Sequence, residues 1–512
     1  MDRILEPIIL DDDGFTLDLS HCGILRKQVE EMFPAVSHAV GSIGSDQGMP
    51  AHVRERAVYQ SSPIYEDIQT FFERLRRGKF SGATGRPFAY VIFAGCGGSV
   101  LGAQFLQQAF RGTHWNERDK FERDNYPRIY FLDNSDPSCM QDILDVVDLD
   151  RTMVVFVSKS GQTPETWANL QVLQAIYDHE NIDFSNHACA VTVEGSPLDS
   201  HAHQHNWSRI WVMAPEVPDP TLISHCPGHA LAAASGINFE EFLNGMHLMD
   251  ELCLNTDAEK NPAALLAATW YLLGAGHGER HQIIMPFSSR LSLLGRFLQH
   301  LIMSSIGREK DRDSNIVEQG MAVFGTKGSS DCHSYVQQLQ DGRNDFILTL
   351  VEVMQDRQLY FAADNVTLGE QLHADRRGLQ LSLYAKDRSV IGITFDYLCE
   401  RSVGKLIALF EHATEIFARL LNLDLKEALQ KPAYMRISRN LIQLHHSLQY
   451  FISENPGFNG FASEFAKAMD LYDWTDEIDG LLCKFAVNQR QFGACRVVRS
   501  KREGRWAFEI CQ

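Results

Sequence analysis

The chain has 512 residues, of which 44% are hydrophobic and 22% charged, and this composition is ordinary for a globular protein. Its formal net charge of −19 makes it a poor general binder of nucleic acid or anionic membrane, so we expect neither as a partner. The acidic N-terminal stretch predicts no signal peptide, and without an apolar run of about 18 residues we expect no membrane-spanning helix. Eleven singly scattered cysteines indicate reduced thiols and a cytoplasmic location.

The order of apolar runs and turn residues predicts an α/β protein. Residues 1–80 have a mostly helical pattern. Short charge-free runs then follow, each ending in turn residues and leading to a helix-like stretch, as buried parallel strands in βα units do. These runs are Tyr90–Ala94, Ile129–Leu132, Met153–Val157 and Cys189–Val193, and a second set contains Gln282–Met285 and Phe346–Val351. We therefore expect a helical segment at 1–80, α/β subdomains at 81–245 and 246–455, and an extension at 456–512.

The C-terminal extension differs from the rest of the chain in charge. Seven basic residues and one acidic residue lie between Lys484 and Arg505. Residues 496–499 and 505–510 could form a hairpin around residues 500–504. A solvated appendage and a binding module are both open interpretations, and the appendage is favoured because a charge run is usually a solvent-exposed face.

Two loops that directly follow strands predict a phosphate site. Gly95–Gly102 has the sequence GCGGSVLG, in which glycines let backbone N–H groups approach a ligand. Ser158–Thr166 has the sequence SKSGQTPET, which offers hydroxyls, a lysine and a helix N-terminus to an anion. Each loop alone has a structural explanation, a common strand end for the first and a helix cap for the second. Together they favour phosphate binding.

These loops and three further motifs, in the same order, resemble the glucose-6-phosphate isomerase family. The further motifs are Asp133–Pro137, Asn261–Leu266 and Gly325–Tyr335, and the match runs from about residue 88 to about residue 423. The resemblance implies a three-layer αβα sandwich of two sugar-isomerase subdomains. It also implies a hexose 6-phosphate ligand, no cofactor or metal, and a homodimer with composite active sites.

The resemblance also assigns roles to individual residues. It implies contacts with the substrate from Gly97, Gly98, Ser99, Ser158, Lys159, Ser160, Thr163 and Gln299. His333 matches the histidine that opens the sugar ring, and Glu165 matches the carboxylate that orients it. Ring opening needs a proton shuttle near neutral pH, which an imidazole paired to a carboxylate supplies.

Two positions depart from the family pattern where isomerisation needs a base and a cation. The family base is a glutamate in Met-Glu-Ser-x-Gly-Lys, and Ser304 occupies its place here. The family cation is an arginine in Gly-Gly-Arg-x-Ser, and His229 occupies its place. A positioned base contributes about 10²–10⁴-fold and an oxyanion donor about 10²–10³-fold, so the sequence predicts impaired isomerisation. Close relatives in the family also carry a lysine on a late helix, and its sequence pattern is missing here. Met435 lies near the position of that lysine, and Lys431 or Arg436 could substitute for it.

Two functions therefore stay open. The first is an isomerase with a rearranged base, and the second is a catalytically inactive phosphosugar-binding sensor or scaffold. The alternating His201, His203 and His205 would share one face of a strand and could bind a metal there. Because the matching family region is helical, we expect no metal at these histidines.

Overall fold

The computed structural model describes residues 6–10, 14–45, 48–425 and 433–512 and confirms an α/β fold. The chain divides into two compact units, Met1–Leu425 and Lys426–Gln512. The first unit begins with β1 (Ile8–Ile9), β2 (Thr16–Asp18), α1 (Arg26–Ile43), α2 (Ala51–Tyr59) and α3 (Pro63–Arg76). This segment, which the sequence predicts to be mostly helical, thus also contributes two strands.

A five-stranded parallel sheet follows, as the βα pattern predicts. Its elements are β3 (Tyr90–Ala94), α4 (Gly98–Phe110), β4 (Arg128–Leu132), α5 (Pro137–Leu144), β5 (Thr152–Ser158), α6 (Pro164–His179), β6 (Ala188–Thr192), α7 (Pro197–Gln204) and β7 (Arg209–Val212). The strand order is β4-β3-β5-β6-β7. Alternate strand residues enter two separate cores: Val91 and Phe93 pack on one side, and Ile92 and Ala94 on the other. The sheet is therefore the middle of three layers.

The second sheet has six strands and includes the N-terminal hairpin. Its segment runs through α8 (Cys226–Ser235), α9 (Phe239–Cys253), α10 (Pro262–Leu273), β8 (His281–Pro286), α11 (Leu294–Ile306), β9 (Arg308–Lys310), β10 (Ile316–Gln319), β11 (Val323–Gly325), α12 (Cys332–Asp341), β12 (Phe346–Val353), α13 (Leu368–Tyr384), β13 (Val390–Phe395) and α14 (Glu400–Leu420). The strand order is β1-β2-β13-β12-β8-β11, in which β13, β12, β8 and β11 are parallel. Strand β2 joins antiparallel to β13, so residues from both ends of the unit build one sheet.

The second unit has its own small core. It contains α15 (Ala433–Glu454), β14 (Asn459–Gly460), α16 (Ala462–Ala468), α17 (Thr475–Val487), β15 (Gln491–Phe492), β16 (Cys495–Arg502) and β17 (Arg505–Cys511). The predicted C-terminal hairpin is confirmed, with Glu503 and Gly504 at positive φ in its two-residue turn. Leu448 of α15 shares the core with Phe465 and Leu482, which explains why this unit begins before the change in charge at its end.

A buried ionic network links the helices of the first unit. The guanidinium of Arg56 on α2 donates to Asp250 of α9 at 2.6 Å and to Glu411 of α14 at 2.7 Å. Burial opposes ionisation of Asp250, yet Arg56 and His412 hold the pKa of its carboxyl well below the usual range. Arg56 also lies 3.4 Å from Ser224 Oγ, which attaches the segment before α8 to the same network.

Loss of Arg56 should therefore destabilise the protein strongly. We expect Arg56→Met to lower the free energy of unfolding by about 3–5 kcal/mol, because two buried carboxylates lose their common partner. Urea titration of the purified variant measures this loss. The matched control is Arg54→Met on the same helix, whose side chain is half exposed and pairs with Glu55, and it should change stability by less than about 1 kcal/mol. An equal effect of the two substitutions would contradict the network's importance.

The buried histidine beside this network predicts the pH dependence of stability. Burial, followed by the charge of Arg56, lowers the pKa of His225 to about 3, so its ring is neutral in the folded protein. Between that value and the unfolded pKa near 6.5, the unfolded chain binds more protons, and stability falls as pH falls. We expect His225 to contribute a slope of up to about 1.4 kcal/mol per pH unit in this window.

Unfolding titrations between about pH 6.5 and about pH 4.5 measure that slope. His225→Gln should lower the slope by the contribution of this one ring, while His114→Gln, at a ring that is 85% exposed, should leave the wild-type slope unchanged. A His225→Gln variant with the full wild-type slope would show that another group causes the acid sensitivity.

Candidate functional site

The candidate site lies where three parallel strands of the first sheet end. Strands β3, β5 and β6 are neighbours in register, so the loops after them meet at one edge. These loops are Gly95–Gly98, Ser158–Thr163 and Val193–Ser196. The structure therefore brings together both loops that the sequence predicts for phosphate binding and adds a third.

The loop after β5 is shaped for an anion by its own hydroxyls and by a glycine. Ser158 is buried, and its Oγ lies 2.9 Å from Thr163 Oγ1. Gly161 has a φ of +61°, and a Cβ there would lie 2.5 Å from Ser196 Oγ, so no side chain fits. Ser160 Oγ accepts from the backbone N–H of Gln162 at 3.2 Å. Helix α6 begins directly after this loop, and its N-terminus favours negative charge.

Lys159 of this loop contacts the chain segment on the opposite side of the site. Lys159 Nζ donates to the carbonyl oxygen of Val217 at 2.6 Å and lies 3.8 Å from Asp219 Oδ1. Residues 217–224, which we name the wall segment, thus face the Ser158–Thr163 loop. Lys159, Ser160, Glu194, Ser196 and Asp219 are among the residues that line an open groove of about 530 Å³ between them.

The glycine loop after β3 packs against the same wall segment. A Cβ at Gly98 would lie 2.1 Å from the carbonyl oxygen of Asp219, and one at Gly102 would lie 2.6 Å from the side chain of Ile223. Gly97 has a φ of +57°, which favours glycine. Ser99 is buried in the first turn of α4. The glycines are therefore needed for the close approach of two backbones as well as for access to a ligand.

Helix α11 presents His300 to the glycine loop, whereas the predicted contact Gln299 is solvent-exposed. The Nε2 atom of His300 lies 2.9 Å from the position that a Cβ of Gly98 would take. Among the residues that the structure describes, this buried nitrogen has no hydrogen-bond partner. Burial lowers the pKa of His300, although Asp219 acts in the opposite direction. Sequence reasoning could have found this residue, because it lies one helical turn before Ser304 on the same face.

Ser304 is half-buried, and its hydroxyl bonds to its own helix. Its Oγ donates to the carbonyl oxygen of His300 at 2.6 Å. A serine hydroxyl bound in this way is a poor proton acceptor near neutral pH. The sequence resemblance places Ser304 at the position of the family base, and here its side chain is a hydroxyl bound to the helix backbone.

His229 is fully buried in an aromatic cluster. Its ring stacks on Tyr65 at 4.1 Å and on Phe239 at 4.7 Å between centroids. Its nitrogens lie 3.0 Å from the hydroxyl of Tyr59 and 2.8 Å from the amide of Gln69. Burial lowers its pKa to about 3, so the ring is neutral. The structure therefore joins His229 to α2, α3 and α9, and the residue supplies no cation to the strand-end loops.

The proposed ring-opening pair is separated within one chain. Glu165, in the first turn of α6, lies close enough to Cys96 of the glycine loop to help raise the pKa of that thiol to about 12, after burial. His333 is exposed in the first turn of α12, and the described residues show no contact between it and Glu165. Lys431 lies outside the described residues, and Met435 and Arg436 belong to α15 of the second unit.

The alternating histidines lie on helix α7 and at its end, as the family comparison predicts. The rings of His201 and His205 are 4.2 Å apart. In the described part of the chain, no group of His, Cys, Asp or Glu side chains is arranged to hold a metal ion. Within the same residues, no helix has both the length and the apolar content that crossing a bilayer requires.

Comparison with known proteins agrees with the fold. A glucose-6-phosphate isomerase of Synechococcus sp. is 36% identical over 400 residues, which cover 77% of this chain and 73% of the relative. One of Prochlorococcus marinus is 31% identical over 512 residues, covering 96% and 95% of the two chains. The crystal structure of a glucose-6-phosphate isomerase from Chlamydia trachomatis has the same fold, with a TM-score of 0.72 at 20% identity, over 87% of this chain and 90% of that one.

The family model described as phosphoglucose isomerase matches residues 36–425, which is most of the first unit. Its match contains the first sheet, the parallel strands of the second sheet, all three strand-end loops and helices α11 and α12. The chain belongs to the phosphoglucose isomerase family.

Proposed function

We propose that the protein binds a hexose 6-phosphate in the groove between the Ser158–Thr163 loop and the wall segment. The observation that carries this proposal is the loop itself, in which hydroxyls and a glycine at positive φ directly precede the start of α6. On a chain with a net charge of −19, such a local arrangement is needed to attract an anion. The sugar would then extend toward Gly97, Gly98 and His300.

We further infer that isomerisation is slow or lost. Moving a proton between C1 and C2 of the sugar needs a carboxylate base and a cation beside the enediolate oxygen. Ser304 offers a bound hydroxyl in place of the base, and the neutral His229 lies in an aromatic cluster. This supports the second candidate function, a phosphosugar-binding sensor or scaffold. Unpaired cysteines support a cytoplasmic location for it.

We also infer a homodimer in which His333 reaches the partner's groove. The exposed position of His333 on α12 supports this arrangement. Helix α12 lies beside α13, where Gln340 donates to Ser382. The residues before α13 expose large apolar side chains, with Tyr360 63% and Phe361 65% accessible, and such a patch is typical of an interface.

The proposed function predicts that sugar phosphate binds without rapid turnover. Calorimetry should detect binding of glucose 6-phosphate and fructose 6-phosphate to the wild-type protein. Ser160→Ala combined with Thr163→Val should weaken binding by more than about 10-fold, because hydrogen bonds to a charged ligand are lost. The control Ser138→Ala, at an exposed serine in the first turn of α5, should bind like wild type. Absence of binding at millimolar ligand would overturn the proposed function.

In the coupled conversion of glucose 6-phosphate to fructose 6-phosphate, we expect turnover well below about 1 per second, the lower end of typical enzyme values. Ser304→Glu alone should raise it little, because no cation would stabilise the enediolate. Wild-type turnover at hundreds per second would show that another residue acts as the base, and it would leave the binding proposal intact.

The proposed dimer is tested separately. Light scattering should report a dimer at micromolar concentration, and Phe361→Asp should shift it to monomer by placing a charge in the apolar interface. Phe121→Asp, at a side chain that is 85% exposed, is the matched control and should remain dimeric. A wild-type protein that is entirely monomeric, or a Phe361→Asp dimer, would refute this arrangement.

A further inference from the structure

The second unit has the order and strand pairing of a winged helix-turn-helix domain. Helix α15 is followed by the short strand β14, the helix pair α16 and α17, and then the hairpin of β16 and β17. Strand β14 pairs antiparallel with β17, and β17 with β16. Side chains of all three helices and of the sheet form one core, which includes Leu448, Phe465, Leu482 and Ile510. This arrangement leaves the turn of the hairpin projecting beyond the core as a wing.

Charge is separated within this unit. Between residues 454 and 479 there are seven acidic residues and one lysine, whereas between 484 and 505 there are seven basic residues and one glutamate. The helix that reads the major groove in many helix-turn-helix proteins corresponds to α17. Here its exposed first turn carries Asp476 and Glu477, which would repel phosphate. The basic charge lies on the hairpin, away from that turn in sequence.

The hairpin combines exposed cations with an aromatic ring. Its exposed basic side chains are Arg496, Arg499, Lys501, Arg502 and Arg505. The guanidinium of Arg499 lies 4.3 Å and the ammonium of Lys501 5.6 Å from the centroid of Trp506. These contacts hold the two cations on one face of the ribbon, while Arg502 and Arg505 are cross-strand partners at its tip.

We propose that this basic hairpin binds duplex DNA, with the β16–β17 wing in a groove and α17 turned away from the phosphates. A two-stranded β-ribbon fits the major groove of B-form DNA, whereas the deep and narrow major groove of duplex RNA excludes it. Five cations along one ribbon match the regular phosphates of the duplex backbone. The net charge of −19 argues against nucleic-acid binding by the chain as a whole. That figure is a sum over all residues, however, and the second unit concentrates its cations on one hairpin.

This activity is separate from the proposed sugar-phosphate site. It uses residues 484–505, and the strand-end loops that form the groove lie within residues 95–224. Failure of either proposal therefore leaves the other standing.

Fluorescence anisotropy of a labelled DNA duplex of about two helical turns, titrated with the full-length protein, tests the inference. Between about 50 and about 200 mM salt, log K should fall against log salt with a slope near −4 to −5, as five neutralised phosphates require. Arg502→Ala with Arg505→Ala should weaken binding by about 10- to 100-fold and reduce the slope by about two. The matched control is Arg436→Ala with Arg439→Ala, which removes two exposed arginines of α15 in the same unit.

Several outcomes would overturn the inference. These are no anisotropy change at about 100 μM protein in low salt, or equal losses in the hairpin and α15 variants. Equally tight binding of polyglutamate would assign the surface to an acidic protein partner instead. Unchanged thermal unfolding and far-ultraviolet circular dichroism of each variant establish that it is folded, and the wild-type salt slope tests the proposal without any variant.

Discussion

The site depends on the close approach of the wall segment, residues 217–224, to helix α4. Gly98 and Gly102 permit this contact, because a side chain at either position would overlap Asp219 or Ile223. Lys159 of the Ser158–Thr163 loop donates to the carbonyl oxygen of Val217 in the same segment. Arg56 of the buried network contacts Ser224, the last residue of the segment. Loops from separate strands are thereby held close together, with the groove between them.

Local arrangement of charge matters more here than the total. A strongly acidic chain repels anions at long range, so a phosphate site needs hydroxyls, a helix N-terminus and a lysine concentrated within one loop. In the second unit, basic side chains are likewise concentrated on one hairpin, β16–β17. The net charge of the whole chain does not reveal this concentration. The buried ions of the Arg56 network differ from both, because they pair with one another inside the core.

Ser304 and His229, which the resemblance aligns with the family base and cation, have different surroundings. Ser304 is half-buried on α11, where its hydroxyl donates to the carbonyl oxygen of His300. His229 has been absorbed into the core between two aromatic rings, and burial keeps it neutral. A charge at position 229 would therefore lie between two aromatic rings inside the core, which is costly.

The sequence by itself determined the parallel strands, the two glycine- and serine-containing loops that follow them and the C-terminal hairpin, because these follow from short-range patterns of apolar, glycine and turn residues. Only the tertiary structure decided that His300 rather than Gln299 faces the glycine loop, since adjacent residues of a helix point to different sides and packing selects between them. Tertiary structure likewise decided that His229 is buried, that β2 completes a sheet with β13, and that α15 belongs to the second unit. Each of these depends on contacts between residues far apart in the chain, which no local pattern encodes.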